Sequence, residues 1–249
     1  MKLSFVIPAY NEEVVLGDCL TSVFRELDSG NYDAEVIVVN NRSTDGTKAI
    51  AASFPNVTVV DEMNQGLVFA RRAGFLASSG ELIANVDADT MLPKGWMETV
   101  MKEFAKDETL VALSGPCIYY DLPLFARAAV KIFYVLGLCF HLMNHFIFRK
   151  GAMLQGGNFI VRRSVLIAAG GYDTSIEFYG EDTDIARRIS PYGKVRWTFR
   201  LPMYTSGRRL REEGLVATGV RYAMNFLWIS FRGIPFTKEH ADIRLPKEN

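Results

Sequence analysis

The stretch ELIANVDADT at residues 81–90 decides the fold of this chain. An apolar strand there ends abruptly in Asp87 and Asp89, two carboxylates separated by one residue. Alternate side chains of a strand share a face, so both carboxylates are expected to point the same way where the strand ends. Such oxygen ligands suit Mg²⁺ or Mn²⁺, which complete their shells with water and substrate phosphates. The stretch predicts a metal site and a phosphorylated substrate; a solvated turn is the alternative.

Composition sets the class of protein. The chain has 249 residues and is 49% hydrophobic, enough for one large α/β domain or two small ones. Lys plus Arg and Asp plus Glu balance at 28 each, which argues against nucleic acid as a partner bound through bulk charge. Three cysteines, Cys19, Cys117 and Cys139, lack metal-site spacing. Their odd number suits a reducing compartment, and we expect them to be buried thiols.

The N-terminus carries one Lys and a short apolar run that meets the acidic segment 11–13. This run is too short for the core of a signal peptide, so the chain is expected to be cytoplasmic. No window of about 18 uncharged apolar residues occurs, and a conventional membrane span is not supported. A peripheral contact with the inner face of the cell membrane stays open.

Strands and helices alternate through the first half. In order they are the strand Leu3–Pro8, a helix capped by Asn11 that runs to Leu27, the strand Ala34–Val39, the strand Val57–Val60 and a helix opening at Asn64–Gly66. With the strand that ends at Asp87, and with a helix between the second and third strands, they form a βαβαβαβ pattern. This pattern indicates an α/β protein with a Rossmann-type, mostly parallel, doubly wound sheet, which binds ligands at the carboxyl ends of its strands.

The second half is built differently. A helix at Trp96–Phe104 and a strand at Leu110–Ser114 are followed by the apolar segment 125–148, which has basic residues on both sides. It is predicted to be either a buried helix or helical hairpin, or a helix on a membrane surface, and its aromatic content favours the latter. Residues 220–236 are again apolar and aromatic, and the tail after Thr237 is charged.

Three further polar clusters follow the apolar segment. They are Gly156-Gly157-Asn158, the acidic helix start Glu181-Asp182, and the basic group Arg208, Arg209 and Arg211. Glycine pairs allow a ligand to approach the backbone closely. The acidic pair either caps its helix or carries chemistry. The arginines either clamp a diphosphate or form a solvated basic face.

Taken together, the ordered motifs resemble those of glycosyltransferase family 2. They are Pro8-Ala9-Tyr10-Asn11-Glu12, Asn40-Asn41-Arg42-Ser43-Thr44-Asp45, Asn64-Gln65-Gly66 with Ala70-Arg71, Asp87-Ala88-Asp89, Gly156-Gly157-Asn158 and Glu181-Asp182. The resemblance covers residues 3 to 210, and the conjunction is more specific than its parts. It implies a GT-A fold with an acceptor-side mixed α/β extension, a nucleotide-diphosphate sugar donor, Mg²⁺ or Mn²⁺, and inversion at the anomeric carbon.

The resemblance also implies a role for each matching residue. Those expected near the donor are Pro8, Tyr10 and Glu12 in the nucleotide pocket, Asn40 or Asn41 near the base, Arg71 near the base or diphosphate, and Gly157 and Asn158 of the glycine motif. Asp87 and Asp89 would hold ribose and metal. Asp182 stands where the family places its general base, with Glu181 beside it.

Departures from the family pattern carry information of their own. Asn40 and Asn41 stand where the family often has paired aspartates, and their amides both accept and donate hydrogen bonds, so the base of the nucleotide stays open. No Gln-x-x-Arg-Trp motif of processive synthases occurs, so transfer of a single sugar is expected. Within residues 3 to 210, no late His is seen that would complete the metal and diphosphate site. Arg208 or Arg209 is expected to contact the diphosphate in its place.

The predicted organisation is a catalytic domain at 1–210, with a nucleotide-sugar half at 1–114 and an acceptor-side half at 115–210. Residues 211–249 would add an apolar or amphipathic helix and a charged tail. The acceptor is expected to be a glycan or a lipid-linked molecule. Two alternatives stay open: a haloacid-dehalogenase-like phosphatase with Asp87 as nucleophile, and a membrane-docked scaffold of the same fold without turnover.

Overall fold

A computed structural model describes residues 1–148, 153–176 and 178–237, and in residues 140–148 it describes the backbone alone. The strands are β1 (Leu3–Ala9), β2 (Ala34–Asn40), β3 (Val57–Asp61), β4 (Leu82–Val86), β5 (Thr90–Met91), β6 (Leu110–Ser114), β7 (Cys117–Tyr119), β8 (Asn158–Arg162), β9 (Lys194–Trp197) and β10 (Met203–Thr205). The helices are α1 (Leu16–Asp28), α2 (Thr47–Ser53), α3 (Leu67–Ala77), α4 (Trp96–Lys106), α5 (Leu124–Phe148), α6 (Arg163–Ala168), α7 (Glu181–Ile189), α8 (Arg208–Glu212) and α9 (Leu215–Arg232).

The main sheet of the described residues has seven strands in the order β3-β2-β1-β4-β8-β6-β9. Strands β3, β2, β1 and β4 are parallel, as the alternating pattern predicts. Strand β8 runs antiparallel to both of its neighbours, β4 and β6. The mostly parallel α/β fold is confirmed, and the reversed strand lies within residues 115–210.

Both faces of the sheet are covered by helices, because both faces of its central strands are apolar. Phe5 and Ile7 of β1 point to the layer formed by α1 and α4. Val6, between them, points to the layer formed by α3, α6 and α7. Helix α3 approaches β1 very closely, since a Cβ added at Gly74 would lie 2.4 Å from Cγ1 of Val6. This close contact fixes the position of α3 and of Arg71, which it carries.

A second, three-stranded sheet lies beyond the ends of the main strands, in the order β5-β10-β7. Strand β10 pairs antiparallel with β5 and parallel with β7. It therefore joins the segment just after Asp89 to the segment just before α8. The backbone N–H of Ser206 donates to the carbonyl of Asp89 at 3.3 Å, which continues this connection.

The apolar segment of the second half forms the single helix α5, and not a hairpin. Tyr134 anchors it: the hydroxyl accepts a hydrogen bond from the N–H of Cys117 at 3.2 Å, and the ring lies 5.7 Å from that of Trp197. Leu124 and Phe125 are 80% and 75% exposed, so the helix is not a buried core helix throughout. Among the described residues, none of the helices combines the length and apolar character needed to cross a bilayer.

Helix α9 packs against α7 at the point where the acidic motif begins. Gly180 has φ +84°, and a Cβ there would lie 1.9 Å from Cδ1 of Ile229, which is fully buried. Only glycine adopts this backbone without strain and allows this approach. The end of the chain described by the structure is therefore held against the helix that carries Asp182.

Two local predictions are wrong. Asn11 does not cap α1, which begins at Leu16. Asn11 has φ +51° and its Oδ1 accepts the N–H of Thr44, while the carbonyl of Glu12 accepts the N–H of Leu16. The side chain of Asn11 thus links the loop after β1 to the loop after β2 and does not cap a helix.

The prediction that all three cysteines are buried is wrong for Cys139. Cys139 is exposed, whereas the other two cysteines are buried. The charged tail beyond Thr237 lies outside the described residues.

Candidate active site

The Asp-x-Asp segment forms a tight turn between β4 and β5. The carbonyl of Asp87 accepts hydrogen bonds from the N–H of Thr90 at 3.1 Å and from its hydroxyl at 2.7 Å. Thr90 thereby closes the turn and holds the backbone of the motif. The side chain of Asp87 is 36% exposed and that of Asp89 is 16% exposed, so both carboxylates lie at an accessible edge of the sheet.

Arg208 lies between the metal-site candidates and the first loop. Its Nη2 lies 3.2 Å from Oδ2 of Asp89 and 2.5 Å from Oε1 of Glu12, which is buried. Burial acts to lower the pKa of Arg208, but the hydrogen bond to Glu12 and the negative charges nearby outweigh it and raise this pKa. Arg208 therefore remains a cation beside Asp89.

Arg71 holds Asp87 from the other side. Its guanidinium is fully buried, donates through Nη2 to Oδ1 of Asp87 at 2.9 Å and through Nη1 to Oε1 of Glu181, and lies over the ring of Phe159. A buried carboxylate such as Glu181 requires a partner of this kind. Glu181 thus positions Arg71 and, through it, Asp87.

Asp182 follows Glu181 in sequence, but its carboxylate has different hydrogen-bond partners. Its Oδ2 accepts the N–H of Gly156 at 2.8 Å and its Oδ1 accepts the N–H of Thr183 at 2.6 Å. Burial raises the pKa of Asp182 above the ordinary value, although these N–H donors and the charge of Arg71 act to lower it. A helix start would keep this carboxylate a weak base. Burial makes it a stronger one.

The glycine motif places backbone against both acidic motifs. Gly157 has φ +76°, and a Cβ at this position would lie 2.3 Å from Oδ2 of Asp87. Glycine is therefore required for steric reasons as well as for its backbone angle. Asn158 is fully buried and donates to the carbonyls of Gly115 at 3.1 Å and Leu201 at 2.9 Å. The motif shapes the site through its backbone.

The candidates for base recognition lie at the end of β2. The amide of Asn40 donates to Oδ1 of Asp61 at 2.8 Å, and the amide of Asn41 donates to the carbonyls of Glu62 and Asn64 at 3.0 and 2.7 Å. These side chains fasten the loops around the pocket and do not join the cluster around Asp182. Pro8 belongs to β1, and Tyr10 follows that strand, where it is partly buried.

Arg209 belongs to a separate cluster. Its Nη1 lies 2.5 Å from Oε1 of Glu213, which also accepts a hydrogen bond from Arg221. Its guanidinium lies 4.6 Å from the centre of the Phe178 ring. The structure therefore brings Arg208, but not Arg209, to the Asp-x-Asp turn. Arg209 instead ties α8 to α9 and to the loop before α7.

A cavity of about 440 Å³ opens between Asp182 and the helices α5 and α9. Asp87, Arg71 and Asp182 line one end of it, together with Gln155 and Glu181. Two motifs distant in sequence thus face one space. The walls contributed by α9 are not indicated by the sequence motifs, because the motifs that carry the family resemblance end near residue 210. The apolar run at 220–236 was the available signal.

The residues present fit a divalent cation. Asp87 and Asp89 offer hard carboxylate oxygens, and Glu12, Glu181 and Asp182 bring further negative charge near the guanidinium groups of Arg71 and Arg208. Within the part of the chain that the structure describes, no third His, Cys, Asp or Glu completes a metal-binding group with them. A cation held by the two aspartates would take its other ligands from water and diphosphate oxygens.

An α/β sheet of this order, with an Asp-x-Asp turn at its edge and a half-buried acid across the cavity, defines the GT-A class of sugar transferases. The chain belongs to glycosyl transferase family 2, whose family model matches residues 4–170. Family membership favours the transferase over the phosphatase alternative. It also supports an enzyme over a scaffold without turnover.

Individual relatives agree with this assignment. The chain is 28% identical over 203 residues to the probable glycosyltransferase YdaM of Bacillus subtilis, an alignment that covers 77% of this chain and 47% of that protein. It is similar in structure to the glucosyl-3-phosphoglycerate synthase of Mycobacterium tuberculosis in complex with Mn²⁺ and UDP-glucose, with a TM-score of 0.64 and 20% identity over 94% of this chain and 80% of that one.

The mannosyltransferase PcManGT of Pyrobaculum calidifontis, in complex with GDP-mannose and Mn²⁺, has a TM-score of 0.64 and 22% identity, covering 88% of this chain and 64% of that one. At these identities the two structures support the fold alone. The chain spans less than half the length of curated relatives such as YdaM.

Proposed function

We propose that this protein transfers a single sugar from a nucleotide-diphosphate sugar to a hydroxyl or phosphate acceptor, with inversion at the anomeric carbon. Asp182 acts as the general base, and Asp87 and Asp89 hold Mg²⁺ or Mn²⁺ with the diphosphate of the donor. The observation that carries this proposal is that Asp182 and Asp87 line one cavity, with Arg71 and Glu181 between them.

The chemistry assigned to Asp182 agrees with its surroundings. In an inverting transfer, a carboxylate takes the proton of the acceptor O–H while the acceptor oxygen bonds to the anomeric carbon. The bond from that carbon to the diphosphate oxygen breaks on the opposite face, and the diphosphate leaves with the electron pair. The raised pKa of Asp182 brings this carboxylate closer to the strength that proton removal requires.

The donor end of the site carries the cationic groups that a leaving diphosphate needs. Arg208 is held at Asp89 by an ion pair and can turn its other nitrogens to phosphate oxygens. A divalent cation held by Asp87 and Asp89 would offset the negative charge that grows on the leaving diphosphate. Arg208 thereby takes the place of the missing late His, and Arg209 is assigned no part in this step.

The nucleotide pocket is assigned to the loops at the ends of β1 and β2. Pro8, Tyr10 and Glu12 form one side, and the loop fastened by Asn40 and Asn41 forms the other. Arg71 is assigned to positioning Asp87, because its buried guanidinium is used by two carboxylates. Gly157 and Asn158 are assigned to shaping the donor site through backbone placement.

The experiment that tests this function is thermal-shift binding of a panel of nucleotide diphosphates and their sugars, each with and without Mn²⁺. A ligand that binds only the native state raises the melting temperature, so the right nucleotide should stabilise the protein in the presence of Mn²⁺. Asp89→Ala should lose this stabilisation. Asp33→Ala, at an exposed aspartate outside the site, should retain it.

The reaction itself is tested on the nucleotide sugar found by this panel. NMR spectroscopy of the product would give the configuration of the new glycosidic bond, which should be opposite to that of the donor. A retained configuration, or metal-dependent stabilisation that survives in Asp89→Ala, would overturn the proposed roles.

A further inference from the structure

The cavity beside Asp182 is polar at one end and apolar along the rest of its length. In the described part of the chain, the charged residues that line the cavity all belong to the candidate active site. Helix α5 contributes Phe133, Leu136 and Gly137 to the remaining wall. Helix α9 contributes Tyr222, Phe226 and Leu227. A nucleotide or a free sugar would find few hydrogen-bond partners along these walls.

The size of this space is that of a ligand site. Protein cores contain few voids larger than a water molecule, whereas ligand pockets measure about 300 to 1,000 Å³. At about 440 Å³ the cavity falls within the latter range. Two of the residues that line the cavity are fixed by their neighbours: Tyr134 of α5 accepts a hydrogen bond from the N–H of Cys117, and Gly180 at the start of α7 packs against Ile229 of α9.

The apolar wall continues to the surface of the protein. Phe133 and Leu136 both line the cavity, yet they are 39% and 64% exposed. Their neighbour Ile132 is 61% exposed on the same helix. An apolar chain can therefore run from Asp182 along α5 and leave the protein over apolar side chains.

We propose that the acceptor is an amphiphile, in which a long apolar chain is attached to the hydroxyl or phosphate that receives the sugar. The chain lies between α5 and α9, and its polar end meets the carboxylate of Asp182. This inference rests on the proposed function, because an acceptor exists only if the protein is a transferase. Binding of the apolar chain can nevertheless be measured without turnover.

Gly137 offers a direct way to fill the cavity. A Cβ at Gly137 would lie 3.8 Å from the nearest heavy atom, Cε of Met153, so a larger side chain enters the cavity without a backbone clash. Gly219 is the matched control, because it also lies within a helix, has open space around its Cβ and does not line the cavity. Both Gly→Leu changes raise helix propensity by a similar amount.

The experiment measures binding of farnesyl phosphate, dodecyl phosphate and methyl phosphate by calorimetry, below the micelle concentration of the amphiphiles. Wild type and Gly219→Leu should bind at least one amphiphile, and Gly137→Leu should bind it roughly tenfold more weakly. Methyl phosphate should show no measurable binding to the wild type or to either variant. A preference for the farnesyl or the dodecyl chain would identify the acceptor as an isoprenoid or an alkyl lipid.

Two results would overturn the inference: neither amphiphile binds wild type, or Gly137→Leu and Gly219→Leu bind the amphiphile equally well. Its failure is distinguishable from failure of the proposed function. If the nucleotide panel stabilises the protein with Mn²⁺ while no amphiphile binds, only the acceptor class is wrong. If amphiphiles bind as expected while no nucleotide does, the transferase roles are wrong and the lipid site stands.

Discussion

Arg71 donates a hydrogen bond to Asp87 with one guanidinium nitrogen and to Glu181 with the other, although Glu181 lies 110 residues away in sequence. This pair of contacts joins the Asp-x-Asp turn to the helix that carries Asp182. Arg71 is fully buried and Glu181 is 6% exposed, so water cannot replace either charged group as the partner of the other. The position of Asp87 relative to α7 therefore depends on Arg71.

The first prediction concerns this link. Arg71→Met leaves the Glu181 carboxylate buried without its partner, and we expect the free energy of unfolding to fall by about 3–5 kcal/mol. Urea denaturation measures this loss. Arg72→Met changes the exposed neighbour on α3 and should alter stability by less than about 0.5 kcal/mol. The double variant Arg71→Met/Glu181→Met should recover part of the loss; equal losses in the single and double variants would contradict the explanation.

The second prediction concerns the base. Asp182→Asn should lower the turnover rate by about 10²–10⁴-fold, because no group remains to take the acceptor proton. Binding of the donor, measured by thermal shift with Mn²⁺, should change little.

The pH profile of the same variant gives an independent reading. Only the deprotonated form of Asp182 works as a base, so the wild-type rate should rise with pH through the raised pKa of this carboxyl and then level off. The rising limb should lie above the ordinary carboxyl value of 3.8 and should be missing in Asp182→Asn. Asp33→Asn, remote and exposed, should keep the wild-type profile.

The third prediction separates steric fit from backbone strain at Gly157. Gly157→Ala imposes the cost of a positive φ, about 1–3 kcal/mol, and also forces the new Cβ against Asp87. Gly95→Ala imposes a similar cost at φ +84°, with no heavy atom within 4 Å of the new Cβ. Both variants should lose stability in urea denaturation. Only Gly157→Ala should also lose Mn²⁺-dependent donor binding, and equal donor binding in the two would contradict the steric argument.

The fourth prediction concerns Arg208, which competes with a cation for Asp89. Removing this charge in Arg208→Gln should strengthen binding of Mn²⁺ alone and weaken binding of a nucleoside diphosphate by roughly tenfold, since a charge-assisted hydrogen bond is lost. Calorimetry with each ligand separates the two effects. Arg211→Gln is the control, because Arg211 pairs with Asp121 at 2.9 Å and is half exposed. A change of the same sign for both ligands in Arg208→Gln would contradict this role.

The fifth prediction concerns stability and pH at Glu35. Burial acts to raise the pKa of Glu35, but hydrogen bonds from Ser4, Ser79 and Lys2 outweigh it and lower this pKa from 4.5 to about 2. In the interval between these values the unfolded chain binds more protons, so the stabilisation is fully present above pH 4.5 and is lost as pH falls towards 2.

Glu35→Gln should therefore reduce the free energy of unfolding by about 1–3 kcal/mol at neutral pH, with the difference from wild type shrinking in acid. Urea denaturation at a series of pH values measures this. Glu108→Gln, at an exposed glutamate, should match wild type throughout. A difference that stays constant with pH would show that lost packing, not charge, is responsible.

The sequence alone predicted the parallel half of the fold and the position of the Asp-x-Asp turn. Both depend on local signals: apolar strands alternate with helices, and each strand ends in polar residues. Parallel strands then bring their carboxyl ends to one edge of the sheet, and this arrangement does not depend on particular contacts between residues distant in sequence. The acidic pair at 181–182 was also found, because a helix start that carries two carboxylates is visible in a short window.

Tertiary structure alone decided the rest. The ion pairs of Arg71 with Glu181 and of Arg208 with Glu12 join residues 110 and 196 positions apart, and no local pattern specifies such partners. Strand β8 runs antiparallel to β4, and no local pattern in its five residues specifies this direction. The Asp182 pKa and the cavity between α5 and α9 have the same origin, since burial depends on which segments of the folded chain meet.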